Sequence, residues 1–394
     1  MRILLIYNSS FFDNTASSNI IKRFINDLEI DVYYVLIGYL NSKKNKILKD
    51  TVTLNSIIFS KTFYRLKKYL PIIRSIILMF EYYILPYINY IKIKKILSKN
   101  YIEKIWVFSC LETIPTAFLL MRKLSIPIHF SVHDDIPDNF YFFKRIANKK
   151  IVEFFVYLLQ NSSSLDLISG YMLDEYKKKY KITNKSLPIW GGFCLPNNNN
   201  IKNYSSEKKK EIKIVYGGSI STMEEHILFW EVLDQLNNLY DLNITLDYYT
   251  HQYYIKYFKN KPNFISFNKF LDSENFNIIL NEYDFAFVMM SFKKEYEFAM
   301  KVAFPSKLNT FLSSGLPLIG IAPEYSSLYK FINEHHIGIC FSDFNLDDIT
   351  NNLKDFFKDD DKLKYILLNI IKTKEKILNY DLEFLKFKEI LLKN

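Results

Sequence analysis

Three short stretches hold residues whose types and spacing could do chemistry. Phe304-Pro305-Ser306-Lys307-Leu308-Asn309-Thr310 runs on to Ser314-Gly315-Leu316-Pro317. Pro305 stops any preceding helix, Ser306 is a good N-cap for the next, and Gly315 ends it. A lysine beside a helix N-terminus makes an anion site, with Lys307 as its charge. Tyr216-Gly217-Gly218-Ser219 closes an apolar run at 212–216. Paired glycines there let a phosphate approach backbone N–H groups with no side chain in the way; a plain tight turn is the other reading. His133-Asp134-Asp135 follows the run 128–132. His133 could donate to a developing alkoxide or position a hydroxyl, with Asp135 the better base and Asp134 beside it. A capped turn would use the same residues. Asn8-Ser9-Ser10 and Ser109-Cys110-Leu111-Glu112 follow two more apolar runs, as site walls or as turn caps.

Other chemistries are missing. No glycine precedes a lysine, so there is no phosphate-binding P-loop, and no GxGxxG follows the first apolar run. HExxH, GxSxG and Cys/His zinc spacings are absent, so neither a metal nor a dinucleotide cofactor is expected. His335-His336 reads as a helix end, and Asp359-Asp360-Asp361 as a solvated face. Cys110, Cys194 and Cys340 lie far apart, which argues against a disulfide scaffold and for a reducing compartment.

The elements that must position these residues alternate in the α/β manner. In the first half, strands are expected at 3–7, 32–36, 105–109, 128–132 and 165–169, with helices at 17–28, around 72–93, 116–124 and 142–159. A break follows, with Gly191-Gly192, Pro196 and four asparagines at 197–200. The rhythm then restarts, with strands at 212–216, 244–249, 264–267, 285–290, 318–322 and 337–341. Helices are expected at 224–239, 275–281, 306–314 and 327–334, and the tail from 346 is helical. The expected plan is two doubly wound domains facing across a cleft, 1–190 and 211–380, joined by a linker at 191–210 and followed by a last helix at 381–394.

The 394-residue chain has a net charge of +10 and 17% aromatic residues. Its basic excess is confined to the first half, where 28 Lys and Arg stand against 15 Asp and Glu by residue 200. A polyanionic or membrane-surface partner suits that half, whereas nucleic acid lacks any supporting motif. The segment 69–91 is apolar, interrupted by Pro71 and Pro86 and flanked by lysines. Buried core helices, an element lying on an anionic membrane and a true span are the readings open to it.

At these residues the chain resembles the GT-B glycosyltransferases, and is similar to the family-4-like bacterial enzymes that build surface polysaccharides. The likeness runs through Phe-Pro-Ser-Lys, Ser-Gly-Leu-Pro, His336-Ile-Gly-Ile and Ser-Val-His-Asp-Asp. It implies that the second domain binds a nucleotide sugar through Gly217, Gly218, Ser219, Ser306, Lys307 and Thr310. It also implies that the basic first domain takes a lipid-linked or glycan acceptor, with Ser9, Ser10, Glu112 and Asp134 on that side. His133 and Asp135 would be catalytic, no metal would be required, and retention is usual. The implied location is the cytoplasmic face of the plasma membrane, and the last helix commonly crosses back to the first domain. The two glutamates that many such enzymes carry with seven residues between them are replaced here by Val302 and Thr310, and the Arg and Lys that often follow the glycines are absent. Diphosphate charge would then fall to Lys307, with Lys301 a further candidate. Two other readings share the architecture: a sugar-nucleotide 2-epimerase, and a membrane scaffold with a degenerate site.

Overall fold

The computed structural model describes residues 1–8, 16–39, 51–56, 83–135, 146–190, 211–220, 222–251, 255, 258 and 261–393. Ser9, Ser10, the expected linker and residues 69–82 lie outside the described residues. The chain forms two compact units, Met1–Gly191 with Phe384–Asn394, and Gly192–Glu383.

Unit 1 starts with β1 (Arg2–Asn8), α1 (Ala16–Asp27), β2 (Asp31–Tyr39), β3 (Thr51–Ser56) and α2 (Leu85–Leu97). It continues through β4 (Lys104–Phe108), α3 (Ile114–Lys123), β5 (Ile128–Val132), α4 (Ile146–Asn161), β6 (Ser164–Leu167), α5 (Gly170–Tyr180) and β7 (Lys185–Pro188). The strands make a parallel sheet in the order β3-β2-β1-β4-β5-β6-β7. Such a sheet is covered on both faces, so its inner strands need unbroken apolar runs, and Ile3 to Tyr7 are all buried. The strand order reverses between β1 and β4, and ligands of open parallel sheets bind at the carboxyl ends beside such a reversal.

Unit 2 repeats the plan with β8 (Ile212–Gly217), α6 (Glu224–Tyr240), β9 (Ile244–Thr250), β10 (Ile265–Lys269), α7 (Ser273–Ile279), β11 (Phe285–Met289) and α8 (Glu297–Val302). Next come α9 (Lys307–Ser313), β12 (Leu318–Ile321), α10 (Ser327–His335), β13 (Gly338–Phe341), α11 (Leu346–Lys358) and α12 (Asp360–Lys376). The parallel order is β10-β9-β8-β11-β12-β13, reversing between β8 and β11. His335 closes α10 and His336 is its left-handed cap, at φ 48°.

The structure departs from the sequence reading in three places. β3 and β7 are edge strands of mixed, partly polar sequence, with too few apolar residues to signal a strand. α5 carries three consecutive lysines and is set off by Ser169, whose side chain accepts from the Met172 amide at 3.1 Å. Ser306 is no cap. Its backbone is already helical, at φ −57° and ψ −23°, and its hydroxyl makes no capping bond, because a capping side chain reaches the first turn only from an extended backbone.

The last helix, α13 (Tyr380–Leu392), brings its final residues into unit 1. Phe387 stacks on Phe24 at 4.3 Å between ring centres and lies 5.0 Å from Trp106. Lys104 is fully buried, and its Nζ donates to the Leu391 carbonyl at 2.8 Å and to that of Lys393 at 3.2 Å. A cation at a helix C-terminus answers the unpaired carbonyls there, while burial, with Lys185 nearby, lowers its pKa. Phe387→Ala is expected to destabilise unit 1 by about 3–5 kcal/mol, read as a lower denaturation midpoint.

Candidate active site

In unit 2 the glycine pair ends β8 at the strand reversal. A Cβ on Gly217 would stand 2.5 Å from the Phe276 ring. On Gly218, whose φ of +103° suits glycine, a Cβ would stand 2.4 Å from Lys307 Cε and 2.8 Å from its Nζ. The Gly218 amide donates to the Tyr249 carbonyl at 2.9 Å, and its own carbonyl accepts from Thr250 Oγ1 at 2.7 Å. This corrects the expected role of Gly218. Its amide is committed to the sheet, and what the missing side chain admits is the lysine.

Lys307 Nζ donates to the Tyr216 hydroxyl at 3.2 Å and lies 4.3 Å from the centre of that ring. Tyr216 in turn donates to the Ser219 carbonyl at 2.7 Å, while Ser219 itself is exposed. Among the described residues no carboxylate pairs with Lys307. Burial pushes its ammonium down to about 7. An arriving anion would restore the proton, because a nearby negative charge favours the charged form. Thr310 is half-buried one turn along α9. Lys301 is engaged elsewhere, with its Nζ 2.6 Å from Glu297 Oε1.

The start of α6 braces this corner. Glu225 is fully buried and accepts from the Phe292 amide at 3.1 Å, tying α6 to the segment after β11. His226 packs on Tyr216 at 4.8 Å and meets the Tyr248 hydroxyl at 3.0 Å. Burial, reinforced by Lys307, pushes His226 down to about 3, so it stays neutral beside the lysine.

In unit 1 the carboxyl ends of β1, β4 and β5 gather several titratable groups. Burial and the carboxylates of Glu112 and Asp134 push the Cys110 thiol well up, against a backbone hydrogen bond from Asn8 that lowers it. Glu112 is half-buried, and that burial raises it to about 7. Asp134 is exposed, whereas Asp135 is buried and accepts from the Tyr176 hydroxyl at 2.5 Å. Glu112 is therefore the carboxylate here that can both hold and release a proton near neutrality.

His133 is 5% exposed, and its Nε2 lies 2.9 Å from Asp166 Oδ2. Asp166 was not singled out in the sequence, although a carboxylate within the apolar run 165–169 is a signal of its own. His129, buried on the same strand as Ser131, meets the other oxygen of Asp166 at 2.8 Å. Burial alone would raise Asp166, but hydrogen bonds from both histidines hold it well below the usual carboxylate range.

Residues 231–379 match the family model described as glucosyltransferase 3-like, C-terminal domain. No curated protein sequence matches the chain. Among solved structures, sucrose-phosphate synthase from Thermosynechococcus elongatus is similar at a TM-score of 0.65 and 11% identity, over 99% of this chain and 98% of that one. WaaG, a glycosyltransferase involved in lipopolysaccharide biosynthesis, is similar at 0.64 and 10% identity over all of both chains. Anabaena Alr3699/HepE, solved with UDP-glucose, is similar at 0.63 and 12% identity, over 99% of this chain and 98% of that one. A UDP-GlcNAc 2-epimerase from Methanocaldococcus jannaschii is less similar, at 0.50 and 12% identity, over 96% and 93%. The fold is GT-B, and the enzyme class that the family model supports is a glycosyltransferase.

Gly218→Ala is expected to displace the Lys307 side chain and strain the turn by about 1–2 kcal/mol. A crystal structure of the variant together with its denaturation midpoint checks both effects.

Proposed function

We propose that the chain transfers a sugar from a nucleotide-sugar donor to a lipid-linked or polysaccharide acceptor, in the building of a bacterial cell-surface glycan and with retention. The observation that carries this reading is Lys307, an ammonium that has no carboxylate partner among the described residues and lies over a glycine at the carboxyl end of β8. A diphosphate is the natural counter-charge for it, and stabilising a departing diphosphate is what glycosyl transfer requires of the donor side. Gly217, Gly218, Ser219, Ser306 and Thr310 would shape that side, and no metal or other cofactor is invoked. Unit 1 would supply the acceptor side through Glu112, Asp134 and His133, with Asp135 held back by Tyr176.

Work at the inner face of the membrane is supported by α2, whose buried residues include Pro86, Asn89 and Ile93. Tyr87 and Ile91 are more than half exposed, and Lys92, Lys94 and Lys95 stand beside them in solvent. Apolar rings next to lysines suit the headgroup layer of an anionic surface. No helix among the described residues is long and apolar enough to span.

A thermal-shift panel of nucleotide sugars, run with and without membrane lipid extract, tests the reading. At least one donor should raise the midpoint, and Lys307→Ala should weaken its binding by roughly tenfold or more. Conversion of the donor alone, with no acceptor, would point instead to an epimerase. The pH dependence has a set sign. Free Lys307 is charged below about pH 7 and loses its proton above it, so diphosphate affinity should be full below pH 7 and fall as pH rises. Titration calorimetry with UDP between pH 6 and 9 checks this, and Lys307→Ala should flatten the profile.

A further inference from the structure

Asp166 receives three donors on its two oxygens. His129 Nε2 lies 2.8 Å from Oδ1, the Ser131 hydroxyl donates to the same oxygen, and His133 Nε2 lies 2.9 Å from Oδ2. The direction of each bond can be deduced. Trp106 Nε1 has only a proton to give, and it gives it to Ser131 Oγ at 2.8 Å. Ser131 therefore turns its own proton to Asp166. His129 Nδ1 meets Ser164 Oγ at 2.8 Å, so both of its ring nitrogens are engaged within the wall of the sheet. With Asp166 ionised, each histidine must place its hydrogen on Nε2.

His133 differs from His129 in one respect. Its Nδ1 is buried and has no hydrogen-bond partner among the described residues. The ring is held edge-on to Phe108 at 4.6 Å, at the end of β5 and one strand from the reversal between β1 and β4. A bare Nδ1 is a lone pair, and a lone pair is answered by an O–H rather than by a carbonyl or a phosphate oxygen. We infer that Asp166 is a positioning residue that fixes His133 as a hydrogen-bond acceptor, so that unit 1 receives a substrate hydroxyl by its proton. This refines the role read from the sequence, where His133 was equally able to donate. The identity of the hydroxyl's owner rests on the glycosyltransferase reading; the state of the ring does not.

Long-range nitrogen–proton spectra of the protein with 15N-labelled histidine test the ring state with no sugar present. The chain has six histidines, and loss of one set of signals in His133→Gln assigns the residue. At pH 8 His133 should show a protonated Nε2 and a bare Nδ1. Asp166→Asn should shift it to a mixture that includes the Nδ1–H form, whereas His129→Gln, which alters the same carboxylate from its other side, should leave His133 in the Nε2–H form. A wild-type ring protonated at Nδ1, or at both nitrogens, overturns the inference. So does an equal disturbance of His133 by the two variants, which would mark Asp166 as structural only. The most stabilising nucleotide sugar of the panel, and octyl glucoside as an acceptor mimic, are then added separately. An upfield shift of Nδ1 with the first assigns the hydroxyl to the donor sugar, and with the second to the acceptor. No shift with either removes the hydroxyl from the proposal while the tautomer result stands.

Discussion

A desolvated ammonium needs a counter-charge, and among the described residues Lys307 meets an aromatic face and a phenol but no carboxylate. The rest of that corner follows from this shortage. Gly218 has to lack a side chain, because the lysine stem occupies the space where a Cβ would go. Tyr216 has to offer both its ring and its hydroxyl, and His226 has to remain neutral, since a second cation would be intolerable at such range. Glu225 gives one of its oxygens to the Phe292 amide and so ties α6 to the segment after β11. The site is thus poised by what it withholds from the lysine.

Unit 1 shows the opposite imbalance. Asp166 is an anion with three donors on its two oxygens, and the order it imposes passes to the rings around it. A carboxylate so fully engaged stays ionised in spite of its burial and acts as a fixed charge. One of its histidines is saturated by Ser164, and the Nδ1 of the other has no partner among the described residues. Polar networks of this kind specify a unique arrangement when their members are satisfied, so this atom stands out against the order of the network around it.

The architecture was legible in the sequence because a covered parallel sheet writes itself as unbroken apolar runs, and the runs at 3–7, 105–109, 128–132, 212–216 and 318–322 all fall on inner strands. Edge strands escape such a reading: β3 and β7 are partly polar and have a neighbour on one side only. Local chemistry also misled at Ser306, where the residue type suits a cap but the backbone does not. The glycine pair and Lys307 could be picked out singly, yet their contact joins residues about ninety positions apart, and no pattern in a linear chain reports it. Asp166 was hidden for the same reason. Its significance comes from histidines on a neighbouring strand, 33 and 37 residues away.

Unit 1 is also discontinuous, and this has a consequence for how the protein is made. Phe24 and Trp106 belong to its early strands and helices, but the ring that covers them arrives at Phe387, and the carbonyl that answers Lys104 arrives at Leu391. During synthesis, nearly the whole of unit 2 must leave the ribosome before the first-made sheet can close its core. A nascent chain therefore carries an apolar gap and an unanswered lysine until Phe387 and Leu391 have been made, so the first unit is completed only after the second.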